Sequence, residues 1–257
     1  MTTGHTPGPL GVRVRELYRS SPMLWVVVPG LVLVVVGVAA FAGLLDAVQE
    51  RDDITVFDRP VLAWLVSVRG DTATAVLSAV TLVSGPVVLP ILVAAGCLTW
   101  GLVRREWWRP LLLVAAMVGS TLLSLAIKGL VARPRPPLDT MDVPGSETTQ
   151  SFPSGHTIGA ATLLLVAGYL VASRRLTARA FVVWIVAAVV GIGAVGLSRL
   201  YLGYHFLTDV LGAVALAVAV LGIVTVVDRL HVLRGLPPGE PPPRWRPRQD
   251  SNLQPTD

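Results

Sequence analysis

Three short clusters of polar residues interrupt an otherwise apolar chain, and their types and spacing suit work on a doubly charged anion. The first runs from Lys128 to Arg133-Pro134-Arg135-Pro136, the second is Pro153-Ser154-Gly155-His156, and the third joins Ser198-Arg199 to His205 and Asp209. A lysine, two or three arginines, a hydroxyl and a helix N-terminus together supply what a dianionic phosphoryl group accepts, arginine as a planar fork and lysine as a compact charge. Gly155 lets the backbone come close, and the free amides of a helix opening at His156 point toward an anion. The histidines add what binding alone lacks. His205 and Asp209 are four residues apart and share one helical face, so the carboxylate can hold one ring nitrogen and leave the other to attack. His156 can then give a proton to the departing oxygen.

Other polar residues have plainer readings. Lys128 is the only lysine among 21 basic residues, which sets it apart from a cation that merely snorkels at a helix end. Arg133 reads equally as a solvated loop charge and as an auxiliary phosphate contact. Ser198 reads equally as a hydroxyl bonded back to its own helix and as a phosphate contact. Tyr201 and Tyr204 read as interfacial anchors. Asp139, Asp142 and Glu147 lack the spacing and the histidine pair of a metal site, and read as a solvated linker. His5 and His231 belong to solvated flanks. Cys97, the single cysteine, allows no intramolecular disulfide.

The elements that must position these clusters are membrane helices. A composition of 53% hydrophobic and 14% charged residues is too apolar for an ordinary soluble domain, and a spanning helix needs about 20 mostly apolar residues. Six such spans are predicted, at 23–45, 74–103, 109–131, 156–173, 180–198 and 205–227, in an all-α integral membrane bundle. The first follows Arg13, Arg15 and Arg19 as a signal peptide would, but its apolar run is too long for one and reads as a retained helix. Gly85-Pro86 and Pro90 predict a break in the second. The segment around Val61, Trp64, Leu65 and Val68 has helical apolar spacing and reads as an interfacial helix or an extension of that span.

The expected organisation is a cytoplasmic segment 1–22, a six-helix domain 23–228 and a Pro/Arg-rich disordered cytoplasmic tail 229–257. The net charge of +5 does not indicate nucleic acid, because the basic residues are scattered between apolar runs. Of the 21 lysines and arginines, 14 fall on the termini and the loops at 104–109 and 174–179. The positive-inside tendency therefore puts both termini in the cytoplasm and all three clusters at the outer face of the cell membrane, and Trp25, Trp100, Trp107 and Trp108 fall near the inner boundary.

At the clusters the sequence resembles the type 2 phosphatidic acid phosphatase superfamily, membrane branch, whose motifs read K-x6-R-P, P-S-G-H and S-R-x5-H-x3-D. Lys128 with Arg135-Pro136, Pro153 to His156, and Ser198-Arg199 with His205 and Asp209 reproduce all three in order and at the family spacing. The resemblance implies a phosphohistidine formed at His205, oriented by Asp209, with His156 as general acid. It implies that Lys128, Arg135, Ser154, Gly155 and Arg199 grip the phosphate, and that no metal or other cofactor takes part. The implied substrate is a lipid phosphate or pyrophosphate: phosphatidic acid, phosphatidylglycerol phosphate or undecaprenyl pyrophosphate, the last favoured by an alanine, valine and arginine bias typical of GC-rich bacterial genomes. The rival outside enzymes is an anion or lipid transporter, which would spread its polar residues across the bilayer depth. Vanadate-dependent haloperoxidases share such a site but are soluble, and a catalytically dead scaffold would not keep every motif position intact.

Overall fold

The computed structural model describes residues 22–50, 53–173 and 177–234, and among these the chain forms eight α-helices and two short 3₁₀ turns. The helices are α1 (Pro22–Glu50), α2 (Asp58–Ser67), α3 (Asp71–Val83), α4 (Val88–Arg104), α5 (Trp108–Val131), α6 (Gly155–Ala172), α7 (Ala178–Tyr201) and α8 (Leu207–Arg234). Five of them, α1, α5, α6, α7 and α8, are long and apolar enough to cross a bilayer. The pair α3–α4, bent by 52° at the break, is long and apolar enough only when taken together, as a broken span or a re-entrant pair. The chain is thus an all-helical, multi-pass membrane bundle.

Local chemistry explains where the helices start and stop. The break between α3 and α4 falls on Ser84 to Val87, where Pro86 offers no N–H to continue the ladder. Helix α5 ends on Ala132 in the left-handed region, whose N–H bonds the carbonyl of Lys128 at 2.9 Å, and Pro134 and Pro136 forbid its resumption. Helix α6 begins after Pro153, with Ser154 as its extended N-cap. The hydroxyl of Thr177 caps α7 by accepting from the N–H of Ala180 at 3.2 Å.

Helix α6 packs on α5, α7 and α8, and α8, the most buried helix, packs in turn on α1. A core of Val93 and Cys97 from α4, Leu113 and Ala116 from α5, Val166 and Leu170 from α6, and Leu221 and Val224 from α8 lies between these four helices. Helix α1 lies along α8 at very short range. A Cβ on Gly37 would stand 2.5 Å from the backbone N of Ala219, and one on Gly222 would stand 2.6 Å from the carbonyl of Gly30. In lipid, where apolar burial drives helices together only weakly, such close backbone approach is a main source of association.

Of the two readings of residues 58–67, the structure has the separate helix, α2, and not an extension of the second span; it presses Asp58, Leu62 and Leu65 inward and leaves Trp64 exposed. One boundary differs from the sequence reading. The last helix continues through Arg229 to Arg234, past the expected tail boundary at 229, because nothing before Gly235-Leu236-Pro237 interrupts its ladder. The segment 1–21 and the tail from 235 onward, with His5, lie outside the described residues.

Candidate active site

All three clusters meet at one end of the bundle. Lys128 occupies the last turn of α5, His156 the first turn of α6, Arg199 the last turn of α7, and Asp209 the first turn of α8. The loop 132–154 closes over them and brings in Arg133, Arg135, Glu147 and Ser151. His205 stands in the turn between α7 and α8. Gly203 makes that turn with φ +77°, and a Cβ there would run into the carbonyl of Thr140, so both the dihedral and the space call for glycine.

His205 is buried, and its ring is held at both nitrogens. Nδ1 lies 3.3 Å from Oδ2 of Asp209, and Nε2 lies 3.3 Å from Nη1 of Arg135. With Nδ1–H donating to the carboxylate, Nε2 carries the lone pair, which faces the Nη1 donor of Arg135. Burial pushes this imidazole down to about 4, against the opposing pull of the Asp209 hydrogen bond and charge. It is therefore neutral at physiological pH. His156 is half-buried at the start of α6 beside the break in the second span, where a Cβ on Gly85 would stand 3.6 Å from its Nε2.

The cationic residues surround this ring. Nη2 of Arg135 pairs with Oε2 of Glu147 at 3.0 Å, and Nη1 donates to the carbonyl of Tyr204 at 2.8 Å. The Arg199 guanidinium is fully buried, stacks 4.5 Å from the ring centre of Tyr204, and pairs through Nη2 with the other oxygen of Glu147. Its Nε and Nη1 are buried and have no hydrogen-bond partner among the described residues. Burial acts to raise the Glu147 carboxyl, but Arg199 and Arg135 outweigh it and hold the group below the usual carboxylate range. The Lys128 ammonium donates to the carbonyls of Gln150 and Ser151. Ser154 is buried and accepts from the hydroxyl of Thr157 at 3.0 Å, while a Cβ on Gly155 would meet nothing within 4 Å, so the N-terminus of α6 is open.

The eight residues singled out in the motifs thus lie together. Several neighbours have roles the sequence did not reveal. Arg133 is neither a solvated loop charge nor placed as a phosphate contact, since its donors go to Asp58, Thr208 and Asp209. Ser198 donates back to the carbonyl of Val195 at 2.7 Å and meets Thr81 across the helix pair. Tyr201 and Tyr204 are not interfacial anchors. Both are buried, and their hydroxyls accept from Gly70 N–H at 2.8 Å and Val143 N–H at 3.3 Å, tying loops together. Glu147 is not a solvated linker residue, since it pairs with both Arg135 and Arg199. Ser151, unnoticed in the sequence, donates to Asp209 and lies 3.4 Å from Nδ1 of His205; its signal was its place three residues before Ser154.

Comparisons with known proteins bear on the family and the fold. The PAP2 superfamily profile matches residues 109–231. Phosphatidylglycerophosphatase B of Bacillus subtilis (strain 168) is 29% identical over 188 residues, covering 72% of this chain and 90% of that protein. A crystal structure described as the first transmembrane PAP2 type phosphatidylglycerolphosphate phosphatase, from Bacillus subtilis, superposes with a TM-score of 0.67 at 28% identity, over 75% of this chain and 96% of that one. Fold, motifs and relatives together define an integral membrane phosphoric monoester hydrolase. Over residues 109–231 the chain is similar to the PAP2 superfamily, and over three quarters of its length it is similar in fold to a transmembrane phosphatase of that type.

The Glu147 carboxylate occupies the space between Arg135 and Arg199, where it competes with any other anion. Glu147→Gln removes that charge, so inhibition by orthovanadate should tighten by roughly tenfold, the scale of one charge-assisted hydrogen bond. Inhibition constants of purified parent and variant check this; equal or weaker inhibition in the variant contradicts it.

Proposed function

We propose that this chain hydrolyses a lipid phosphate through a phosphohistidine at His205. The observation that carries the reading is the carboxylate of Glu147 held between two guanidinium groups beside Nε2 of His205. A pair of guanidinium groups that already holds one oxyanion there, with two unused donors on Arg199, suits a phosphoryl group at the same place.

In the first step Nε2 of His205 attacks phosphorus, a P–N bond forms and the ester P–O bond breaks. His156 protonates the departing oxygen. In the second, His156 takes a proton from water, the hydroxide attacks phosphorus, and the P–N bond breaks to release orthophosphate and neutral His205. Asp209 keeps the proton on Nδ1 throughout. Lys128, Arg135 and Arg199 stabilise the equatorial oxygens, with the Ser154 hydroxyl and the amides at Gly155 completing the set. These cations supply the charge neutralisation that a metal ion gives in other phosphatases, so turnover is proposed to be metal-independent.

The relatives named above support phosphatidylglycerol phosphate ahead of undecaprenyl pyrophosphate as the substrate class. A cavity of about 1150 Å³ runs from Arg135 between Val48, Leu62, Val131 and Phe206, giving an apolar wall for the lipid beside the phosphate grip. The distribution of basic residues supports cytoplasmic termini and a site at the outer face.

Two experiments test this. His205→Ala should be nearly inactive on every substrate, because no leaving group replaces the attacking atom, and its acid-labile phosphoenzyme should vanish. His156→Ala should lose about 10² to 10⁴-fold on a lipid monoester yet recover much of the rate on p-nitrophenyl phosphate, whose leaving group needs little protonation. Label that persists in His205→Ala and disappears in His156→Ala would exchange the two roles. For sidedness, a cysteine at exposed Thr148 should react with an impermeant thiol reagent in sealed cells and one at exposed Ala178 should not; the reverse pattern overturns the orientation.

A further inference from the structure

The carboxylate behind His205 is held from a direction that the three motifs do not account for. Arg133 lies between two aspartates: Nη1 donates to Oδ1 of Asp209 at 2.5 Å and to the hydroxyl of Thr208 at 2.7 Å, and Nη2 donates to Oδ2 of Asp58 at 2.6 Å. The guanidinium lies 4.6 Å from the ring centre of Phe206, which fixes its plane. Asp58 opens α2 and is 3% exposed. It also accepts from the Thr208 N–H at 2.9 Å and the Thr208 hydroxyl at 2.7 Å. A side chain from α2 thus caps the first turn of α8, the turn that carries Asp209. Asp58 lies outside the residues matched by the superfamily profile.

The charges alternate along this line: Asp58 negative, Arg133 positive, Asp209 negative, then the imidazole. Without Arg133, Oδ1 of Asp209 would lack its charged donor, and the carboxylate could turn away from Nδ1. Without Asp58, Arg133 would be a barely exposed cation whose charge Asp209 alone must balance, weakening what Asp209 offers the ring. Each member needs the next.

We propose that Arg133 and Asp58 are positioning residues, an outer pair that fixes Asp209 and so keeps Nε2 of His205 aligned for attack on phosphorus. This rests on His205 being the nucleophile. The other charged or titratable groups that face His205 are Arg135 from the loop, Arg199 from α7, His156 from α6, and Glu147 and Lys128 beyond them. None of these changes in the variants below, so a shift in titration reports the outer pair alone.

The test uses full-length protein in detergent, a short-chain diacyl lipid phosphate, and pH profiles of kcat/KM for Asp58→Asn and Arg133→Gln. Each should lower kcat by roughly 10- to 100-fold, the usual effect of losing a group that orients a functional histidine, with KM changed by less than about threefold. The acid limbs should move in opposite directions. Removing the negative charge of Asp58 disfavours the protonated imidazole and moves the limb to lower pH; removing the positive charge of Arg133 moves it to higher pH, each by roughly half a unit or more. A merely structural tie between α2 and α8 would lower the yield of active protein without opposed shifts. Parental kcat in both variants, or lowered kcat with both limbs unmoved, overturns the proposal. If either variant fails to elute as folded protein, Asp58→Asn combined with Arg133→Met removes both charges of the outer pair at once, so neither is left facing a missing partner, while Asp209 loses its guanidinium; it should lose rate, and a parental rate overturns the proposal. Phosphoenzyme trapping runs alongside. A parent with no label at His205 overturns the nucleophile and the outer pair together, whereas label at His205 with parental rates in the variants overturns the outer pair only.

Discussion

Asp209 is completely buried, and its bonds join every part of the site. Oδ1 accepts from Arg133; Oδ2 accepts from Ser151, from Nδ1 of His205 and from the Phe206 N–H at 2.8 Å; and its main-chain carbonyl accepts from the Ser154 N–H at 3.1 Å. Arg133 belongs to the first motif segment, Ser151 and Ser154 to the second, and His205 to the third. An ionised carboxylate buried in an apolar bundle is strongly unfavourable unless donors surround it. Satisfying this one charge therefore requires the three segments to be in register, so the placing of the cationic side chains and the orientation of the His205 ring are set together.

The bundle keeps this polar end apart from a second one. At the far end of α5 and α8, Asp228 is buried among Trp108, Tyr169 and Arg109, with Nε1 of Trp108 donating to it at 3.2 Å and the Tyr169 hydroxyl at 3.1 Å. His231, read from sequence as simply solvated, stacks on Trp108 with ring centres 3.7 Å apart. The apolar core around Val166 and Leu170 packs directly against this second end, where the Leu170 carbonyl accepts from Arg109 at 2.9 Å. A transporter would need polar groups at intermediate depth to carry an anion through. Here the charged groups gather at the two ends, and the buried polar groups between them are uncharged hydroxyls, those of Ser120, Ser124 and Thr162.

Much of this was legible in the sequence because lipid is a demanding solvent. Long apolar runs have few structural options there, so the spans at 109–131 and 156–173 were close to α5 and α6, and Gly85-Pro86 marked the break. The motif residues were legible because a charge or histidine at a helix end near the bilayer stands out. What stayed hidden depends on contacts distant in sequence. Asp58 lies 75 residues from Arg133 and 150 from Thr208, and no local pattern sets it apart from other outer-loop acids. Glu147 looked like linker because its partners, Arg135 and Arg199, approach only once α5 and α7 are packed. Tyr201 and Tyr204 were misread because aromatic residues at a span end suit an interface and a buried loop tie equally well.

The claim on which the account depends is that Nε2 of His205 is the atom that meets phosphorus. Orthovanadate adopts the geometry of phosphoryl transfer, so an experimental structure of the protein with vanadate bound locates that atom directly. The account predicts vanadium within bonding distance of Nε2 of His205, its equatorial oxygens on Nε and Nη1 of Arg199 and on Lys128, the Glu147 carboxylate displaced, and His156 at the opposite apical oxygen. Vanadium bonded to His156, or bound away from both histidines with Glu147 still bridging Arg135 and Arg199, would contradict it.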